Sequence, residues 1–482
     1  GVPARRGLSG RPEPAGRAAR RGLRQRRFQP ALASVLLALL ASPLPAQPDR
    51  LNGRVFATRS PVLGQHGMVC TSQPLATQIG LDVLKAGGSA VDAAIAANAA
   101  LGLMEPTGSG LGGDLFAIVW DAKAKKLHGL NASGRSPLGL SFARMQAELA
   151  QLGRPTIPIR GMLSVSVPGC ADGWFELHAK FGRRPMREVL APAIRYAEDG
   201  FPVTQFIAHL WAREVQAAQA ERFPGAILEV FAPGGRAPRE GEIFKNPALA
   251  RTLRLLAEGG RDAFYRGEIA ERIDEFMRAH GGWLRKIDFE KHTSTWVEPV
   301  AVNYRGYDVF ELPPNGQGVA ALQMLAILGG YDLARLGHNS ADTLHLMIEA
   351  KKLAFEDRAK FYADPDFAKA PIAGLISQAY AAARRRLIDP AHAALAYDAG
   401  HPPLNAGDTI YLCTADAEGN MVSFINSLFE AFGSTVVVPG TGFALQDRGA
   451  GFTLEPGLPN TVAPGKSALI PASARPCPSA RV

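Results

Sequence analysis

The residues able to do chemistry are few. Thr409 opens an alternating strand, Thr409 to Asp416, directly after the polar, proline-bearing loop His401 to Gly407 and Asp408. A threonine hydroxyl is a poor nucleophile unless a base lies within hydrogen-bonding reach, so the junction Asn405-Ala406-Gly407-Asp408-Thr409, taken alone, reads as structural. A second feature is the glycine-rich stretch EPTGSGLGGD, with Gly108, Gly110 and Gly113 in GxGxxG spacing. A dinucleotide fingerprint needs a strand before the glycines and a helix after them. Here a helical pattern precedes and a strand follows, which argues for close backbone approach, at a packing crossing or at a substrate. The four cysteines, Cys70, Cys170, Cys413 and Cys477, include no CxxC; they could pair in an exported protein, but their apolar, strand-like contexts favour buried thiols. The ten histidines form no HExxH, HxH or Cys/His cluster, so no metal site is readable. Serine-elbow, phosphate-loop and kinase motifs are missing too.

Charge excludes another class. The chain of 482 residues has a net charge of +9, and nine arginines against Glu13 alone lie within residues 1–30. The remainder is nearly neutral and offers no basic face for nucleic acid. After Arg26 and Arg27 comes the apolar run Ala31 to Ala41, then Ser42-Pro43-Leu44-Pro45-Ala46. The run falls short of the roughly 20 residues of a membrane anchor and reads as a signal peptide cut after Ala46, hence an exported protein. Residues 1–24, upstream of it and without an initiating Met, read as non-coding read-through or a tag.

The elements that must position any site follow from periodicity. A strand is expected at Met68 to Thr71, a helix at Pro74 to Lys85, and a helix capped by Ser89 with Asp92 three residues on, running to Met104. A strand Leu115 to Trp120 follows the glycines. Residues 160–300 read as mostly helical, with helices at Gly173 to Lys180, Met186 to Asp199, Asn246 to Glu258 and Glu268 to His280. Two short strands are expected within Val300 to Leu312, then helices at Val319 to Leu328, Ala341 to Tyr362 and Leu375 to Tyr397. Thr409 to Asp416 and Met421 to Ser427 flank the turn Ala417-Glu418-Gly419-Asn420, a hairpin pattern; further strands are expected at Ser434 to Val438 and Phe443 to Gln446. Interleaved helices and strands with no clean linker favour one layered α/β domain.

Six ordered blocks then carry a resemblance: the stretch from VCTSQPLATQIG to GLGGDLFAIVWD, VPGCADGWFELHAKFGRRP, LAPAIRYAEDGFPV, PPNGQGVAALQMLAIL, EAKKLAFEDRAKFYADP and GDTIYLCTADAEGNMVSFINS. Together, over residues 52 to 466, the chain resembles the γ-glutamyltransferase (glutathione hydrolase) family. The resemblance implies an N-terminal-nucleophile hydrolase fold, a four-layer αββα sandwich, made as one precursor that cuts itself. It places the cut at Asp408-Thr409, giving a large subunit, 47–408, and the start of a small one, 409–466. Thr409 would be the nucleophile, its freed α-amine the base, and an acyl ester the intermediate, resolved by water or an acceptor amine. No cofactor is implied. The small-molecule substrate would be a γ-glutamyl or related amide.

The chain departs from the family pattern. Ser427 stands where the family has a helper threonine and still offers a hydroxyl to orient Thr409; it could equally be an ordinary strand residue. The positions that hold a substrate ammonium fall on Phe429, Arg448 and Gly451, and the carboxylate-gripping arginine falls on Ser133, with Arg135 two places on. Arg135 and Arg448 are therefore candidate binders of an acyl group with a carboxylate and no ammonium, glutaryl-like, unless they serve as surface charges or salt bridges. Residues 467–482 match nothing in the family and read as an aberrant, frameshift-like tail, so core strands are expected to be missing and the chain as it stands to be inactive. A catalytically dead exported binding protein is the reading from another class.

Overall fold

The strand opening at Asp408 becomes an interior strand of a sheet. In the computed structural model residues 61–221, 223–398 and 408–469 are described, of Asp408 and Thr409 the backbone only. The expected leader and signal peptide (1–46), the loop 401–407, Cys477 and residues 470–482 lie outside the described residues. Gly64–Val482 is one structural unit, and the architecture is that of its described part.

Ten strands occur in chain order among the described residues: β1 (Met68–Cys70), β2 (Asp114–Asp121), β3 (Lys126–Ala132), β4 (Phe201–Pro202), β5 (Ile243–Phe244), β6 (Thr295–Val297), β7 (Val300–Tyr304), β8 (Tyr307–Glu311), β9 (Asp408–Ala415) and β10 (Met421–Phe429). Six of them form one antiparallel sheet in the order β1-β9-β10-β2-β3-β6, and β4-β5 and β7-β8 are two-stranded ribbons. The architecture is thus mixed α/β with antiparallel sheets.

One face of the large sheet carries Val69, Leu115, Ala117, Val119, Leu130, Ala132, Leu412, Val422 and Phe424 into the main core, as strand alternation requires. The helix Ala90–Met104 lies on this face. Its capping box forms as expected: Ser89 Oγ accepts from the Asp92 amide at 3.1 Å, and Asp92 Oδ2 from the Ser89 amide at 2.9 Å. All its residues but Gly102 are buried, the pattern of a helix hydrophobic all round. The helix Cys170–Phe181 approaches so closely that a Cβ on Gly173 would sit 2.8 Å from Ala132 Cβ. Gly173→Ala should therefore lower stability by about 1–3 kcal/mol, overriding the roughly 1 kcal/mol by which Ala favours a helix over Gly. A urea midpoint measures this.

The β9–β10 hairpin closes through Asp416, whose Oδ1 accepts from the Glu418 and Asn420 amides at 3.2 and 2.9 Å. Gly419 there takes φ +84, a conformation that suits glycine.

Several expectations need correction. Leu375 to Tyr397 is not one helix: only Ile372–Leu375 and Gln378–Arg385 are helical. The remainder is tied to the helix Ala341–Phe361, where Glu349 accepts from Tyr397 Oη at 2.5 Å and Lys352 Nζ donates to the Ala394 carbonyl at 2.8 Å. Ser434 to Val438 and Phe443 to Gln446 share one bridge, Val437 with Ala444, and form no strands. The helix expected to stop at Glu258 continues to Tyr265 past a kink at Gly260. Of the cysteines, Cys170 is buried but Cys70 is exposed and Cys413 half-buried. Among the described residues no helix is long and apolar enough to cross a membrane.

Candidate active site

The site is assembled where β9 starts, β10 ends and the glycine loop enters β2. The Asp408 backbone lies opposite Phe429, with a register irregularity between Asn426 and Phe429. Such bulges re-aim residues beside a strand end. Ser427 sits in the irregularity, 1 % exposed and in register with Asp114, its Oγ accepting from the Phe429 amide at 2.9 Å. Phe429 itself has φ +86.

The glycine loop proves to be a packing crossing. A Cβ on Gly113 would collide with the Ser427 carbonyl, and one on Gly112 with that of Ala444. Asn426 fixes the loop to the strand: its Oδ1 accepts from the Gly110 amide at 2.9 Å and from Ser109 Oγ, and its Nδ2 donates to the Asp114 carbonyl at 2.8 Å. Asn98 joins through Nδ2, 3.3 Å from Asn426 Oδ1.

At the centre lies Asp114, which sequence reasoning missed. Its Oδ1 accepts from the Gly134 amide at 2.7 Å and Gln446 Nε2 at 2.8 Å, and its Oδ2 lies 2.7 Å from Arg448 Nε. Burial pushes this carboxyl up to about 6, against Arg448 and the two other donors, Gly134 and Gln446, which favour the ionised form. Burial likewise lowers Arg448 from its ordinary value. Asp447, next to it, accepts from the Glu430 amide at 3.1 Å and is raised well above the carboxylate range by burial.

Arg448, 3 % exposed, reaches the Ser427 carbonyl with Nη2 at 3.5 Å, and its guanidinium carbon lies 5.4 Å from the Phe429 ring centre. Its Nη1 and the Oδ2 of Asp447 are buried with no hydrogen-bond partner among the described residues. Buried polar atoms are nearly always satisfied, so these two atoms are exceptions to that rule.

Arg135 sits at the rim. Its Nη1 lies 3.0 Å from Asp364 Oδ2 and 3.1 Å from the Gly465 carbonyl, and its Nη2 2.7 Å from Asp366 Oδ2. The preceding Gly134 amide is the one bonded to Asp114, so that one carboxylate ties the Arg135 loop to Arg448. Both arginines are in salt bridges, one of the alternatives left open by the sequence. Ser133 is buried against Asn315, whose Nδ2 donates to Ser133 Oγ at 3.1 Å. Residues 467–469, the described start of the supposed tail, pack into this region: the Ser467 amide donates to Asp364 Oδ2 at 2.8 Å, and Ala468 and Leu469 are buried.

Ser427, Arg448 and the start of β9 are thus brought together, and Arg135 stands one loop away. The only signal for Asp114 was its place at the exit of the glycine loop, which the formal fingerprint obscured.

Comparison with known proteins addresses the family. The family model described as gamma-glutamyltranspeptidase matches residues 76–476. The glutathione hydrolase-like YwrD proenzyme of Bacillus subtilis is 37% identical over 406 residues, 84% of this chain and 75% of that one. The acylase ACY 1 proenzyme of Pseudomonas sp. (strain SE83) is 37% identical over 413 residues, 85% of this chain and 73% of that one. The crystal structure of cephalosporin acylase from Bacillus halodurans superposes with a TM-score of 0.78 at 44% identity, covering 86% of this chain and 76% of the other. A family match over most of the chain, relatives above 30% identity and a shared fold lead to one conclusion: the chain belongs to the gamma-glutamyltranspeptidase family.

Proposed function

We propose that the chain is the precursor of an exported, self-cleaving amidohydrolase of the N-terminal-nucleophile type, with the four-layer αββα arrangement of that class. Cleavage at Asp408-Thr409 frees the Thr409 α-amine, which takes the hydroxyl proton as Thr409 attacks the amide carbonyl. Ser427 orients the nucleophile. The acyl group passes to Thr409 as an ester, the amine leaves, and water or an acceptor amine resolves the ester.

The acyl group is one that carries a carboxylate and no ammonium. The observation behind this choice is the buried Arg448 with Nη1 unpartnered beneath Ser427. Of the three positions that the resemblance assigns to ammonium binding, Arg448 is a donor for a carboxylate, and Phe429 and Gly451 supply no carboxylate for an ammonium. Arg135, although paired with Asp364 and Asp366, is the second cation available at the rim. Relatives named as acylases support an amide acyl donor in general.

The test is kcat/KM of the complete gene product on glutaryl and γ-glutamyl anilides. The two compounds share the carboxylate and differ only in the α-ammonium, so the glutaryl compound should be favoured by about tenfold or more, because an ammonium left without a partner beside Arg448 costs about 1–3 kcal/mol. A preference for the γ-glutamyl compound would overturn the substrate assignment while leaving the cleavage mechanism standing.

A further inference from the structure

β1 is a three-residue edge strand, held to the sheet by the pairs Met68–Ala415, Val69–Thr414 and Cys70–Cys413. The last pair places two cysteines directly opposite each other on antiparallel neighbours. Opposed side chains share one face. Here it is the face away from the core, because Val69 and Thr414, the next residues, are buried while Cys70 is exposed and Cys413 half-buried. Directly opposed residues in an antiparallel pair have Cα atoms about 4.5–5.5 Å apart, within the roughly 4.4–6.8 Å of disulfides.

We propose that Cys70 and Cys413 are a cross-strand disulfide site. The two thiols lose two protons and two electrons and form one S–S bond. A low-molecular-weight disulfide such as oxidised glutathione takes them up, becoming two thiols. Exposure of Cys70 gives that oxidant access to the first sulfur, and Cys413 resolves the mixed disulfide. The bond locks the short edge strand, whose three pairs alone hold it weakly. Its second consequence rests on the proposed cut: Cys70 precedes position 408 and Cys413 follows it, so the disulfide joins the two pieces covalently.

The test uses the complete gene product, incubated with oxidised glutathione or with dithiothreitol, alkylated, digested with trypsin without reduction and analysed by mass spectrometry. The oxidised sample should contain peptide 60–85 linked to the Cys413 peptide, and the reduced sample should not. Cys70→Ser and Cys413→Ser should each abolish the link. The Cys413 partner starts at position 387 in an uncut chain and at 409 in a cut one, so linkage and cleavage are read separately from one spectrum. In cut protein, a non-reducing denaturing gel shows one band after oxidation and two after reduction. Alkylation of buried Cys170 only after denaturant certifies that the sheet is folded. Glutathione left on Cys70, a Cys70–Cys477 link, or both thiols alkylated in protein whose Cys170 is protected would each overturn the proposal.

Discussion

Thr409→Ala should leave the complete gene product as one uncut polypeptide and lower amide turnover by on the order of 10⁴- to 10⁶-fold, the range seen when a covalent nucleophile is removed. Both losses come from one atom. The hydroxyl that attacks the substrate carbonyl is also the group required at the scissile Asp408-Thr409 bond in the proposed mechanism. Thr409→Ser keeps a hydroxyl and should retain cleavage and turnover at reduced rate. The mechanism also fixes a pH dependence. The freed α-amine must be neutral to accept a proton, and its ordinary value is about 7.7–8.0. Turnover should rise as pH climbs through about 8 and level off above it. A denaturing gel and a pH–rate profile check these outcomes; cut, active Thr409→Ala protein would refute the assignment.

The second large effect lies at the Asp114–Arg448 pair. Arg448→Met should destabilise the protein by about 3–5 kcal/mol at pH 7, the usual consequence of leaving one buried charge without its partner. Asp114→Asn, which imitates the protonated carboxyl that burial favours, should cost less. The double variant should be more stable than either, because no buried charge remains. Sign matters for pH. The Asp114 carboxyl rises from 3.8 to about 6 on folding, so the fold favours its protonated form. That contribution is fully present below pH 3.8 and is lost as pH rises through about 6. At about 1.4 kcal/mol per pH unit this amounts to about 3 kcal/mol. Native stability relative to the double variant should fall by about that much between pH 4 and pH 7, as read by urea midpoints. A difference independent of pH would show that Asp114 does not titrate in this range.

What the sequence makes legible is local. The Ser89–Asp92 cap, the glycine-bearing turn between β9 and β10, and the helices at 74–85 and 186–199 each depend on residues within a few positions of one another, where spacing determines hydrogen bonding. Tertiary burial misled elsewhere. Ser434 to Val438 is apolar because it is buried, yet Ser434 Oγ bonds the Leu445 carbonyl at 2.7 Å and Thr435 takes φ +61, so the chain turns instead of pairing. Residues 386–397 carry helix-favouring alanines, but Pro390 removes an amide donor and Glu349 and Lys352 capture the backbone of Ala394. For the site, the resemblance supplies Thr409, Ser427 and Arg448 as candidates. It offers no sign of the carboxylate beneath Arg448, because Asp114 on β2 and Arg448, in the short turn Arg448–Gly451, meet only when the chain after β10 folds back on the glycine loop, as the bond from the Gln446 amide to the Gly112 carbonyl shows.

The central claim is that a backbone break at Asp408-Thr409 creates the catalyst. Amino-terminal sequencing of the soluble, complete gene product addresses it most directly. The account predicts two chains, one of them beginning Thr409-Ile410-Tyr411. Active protein in which no chain starts at Thr409 would contradict it.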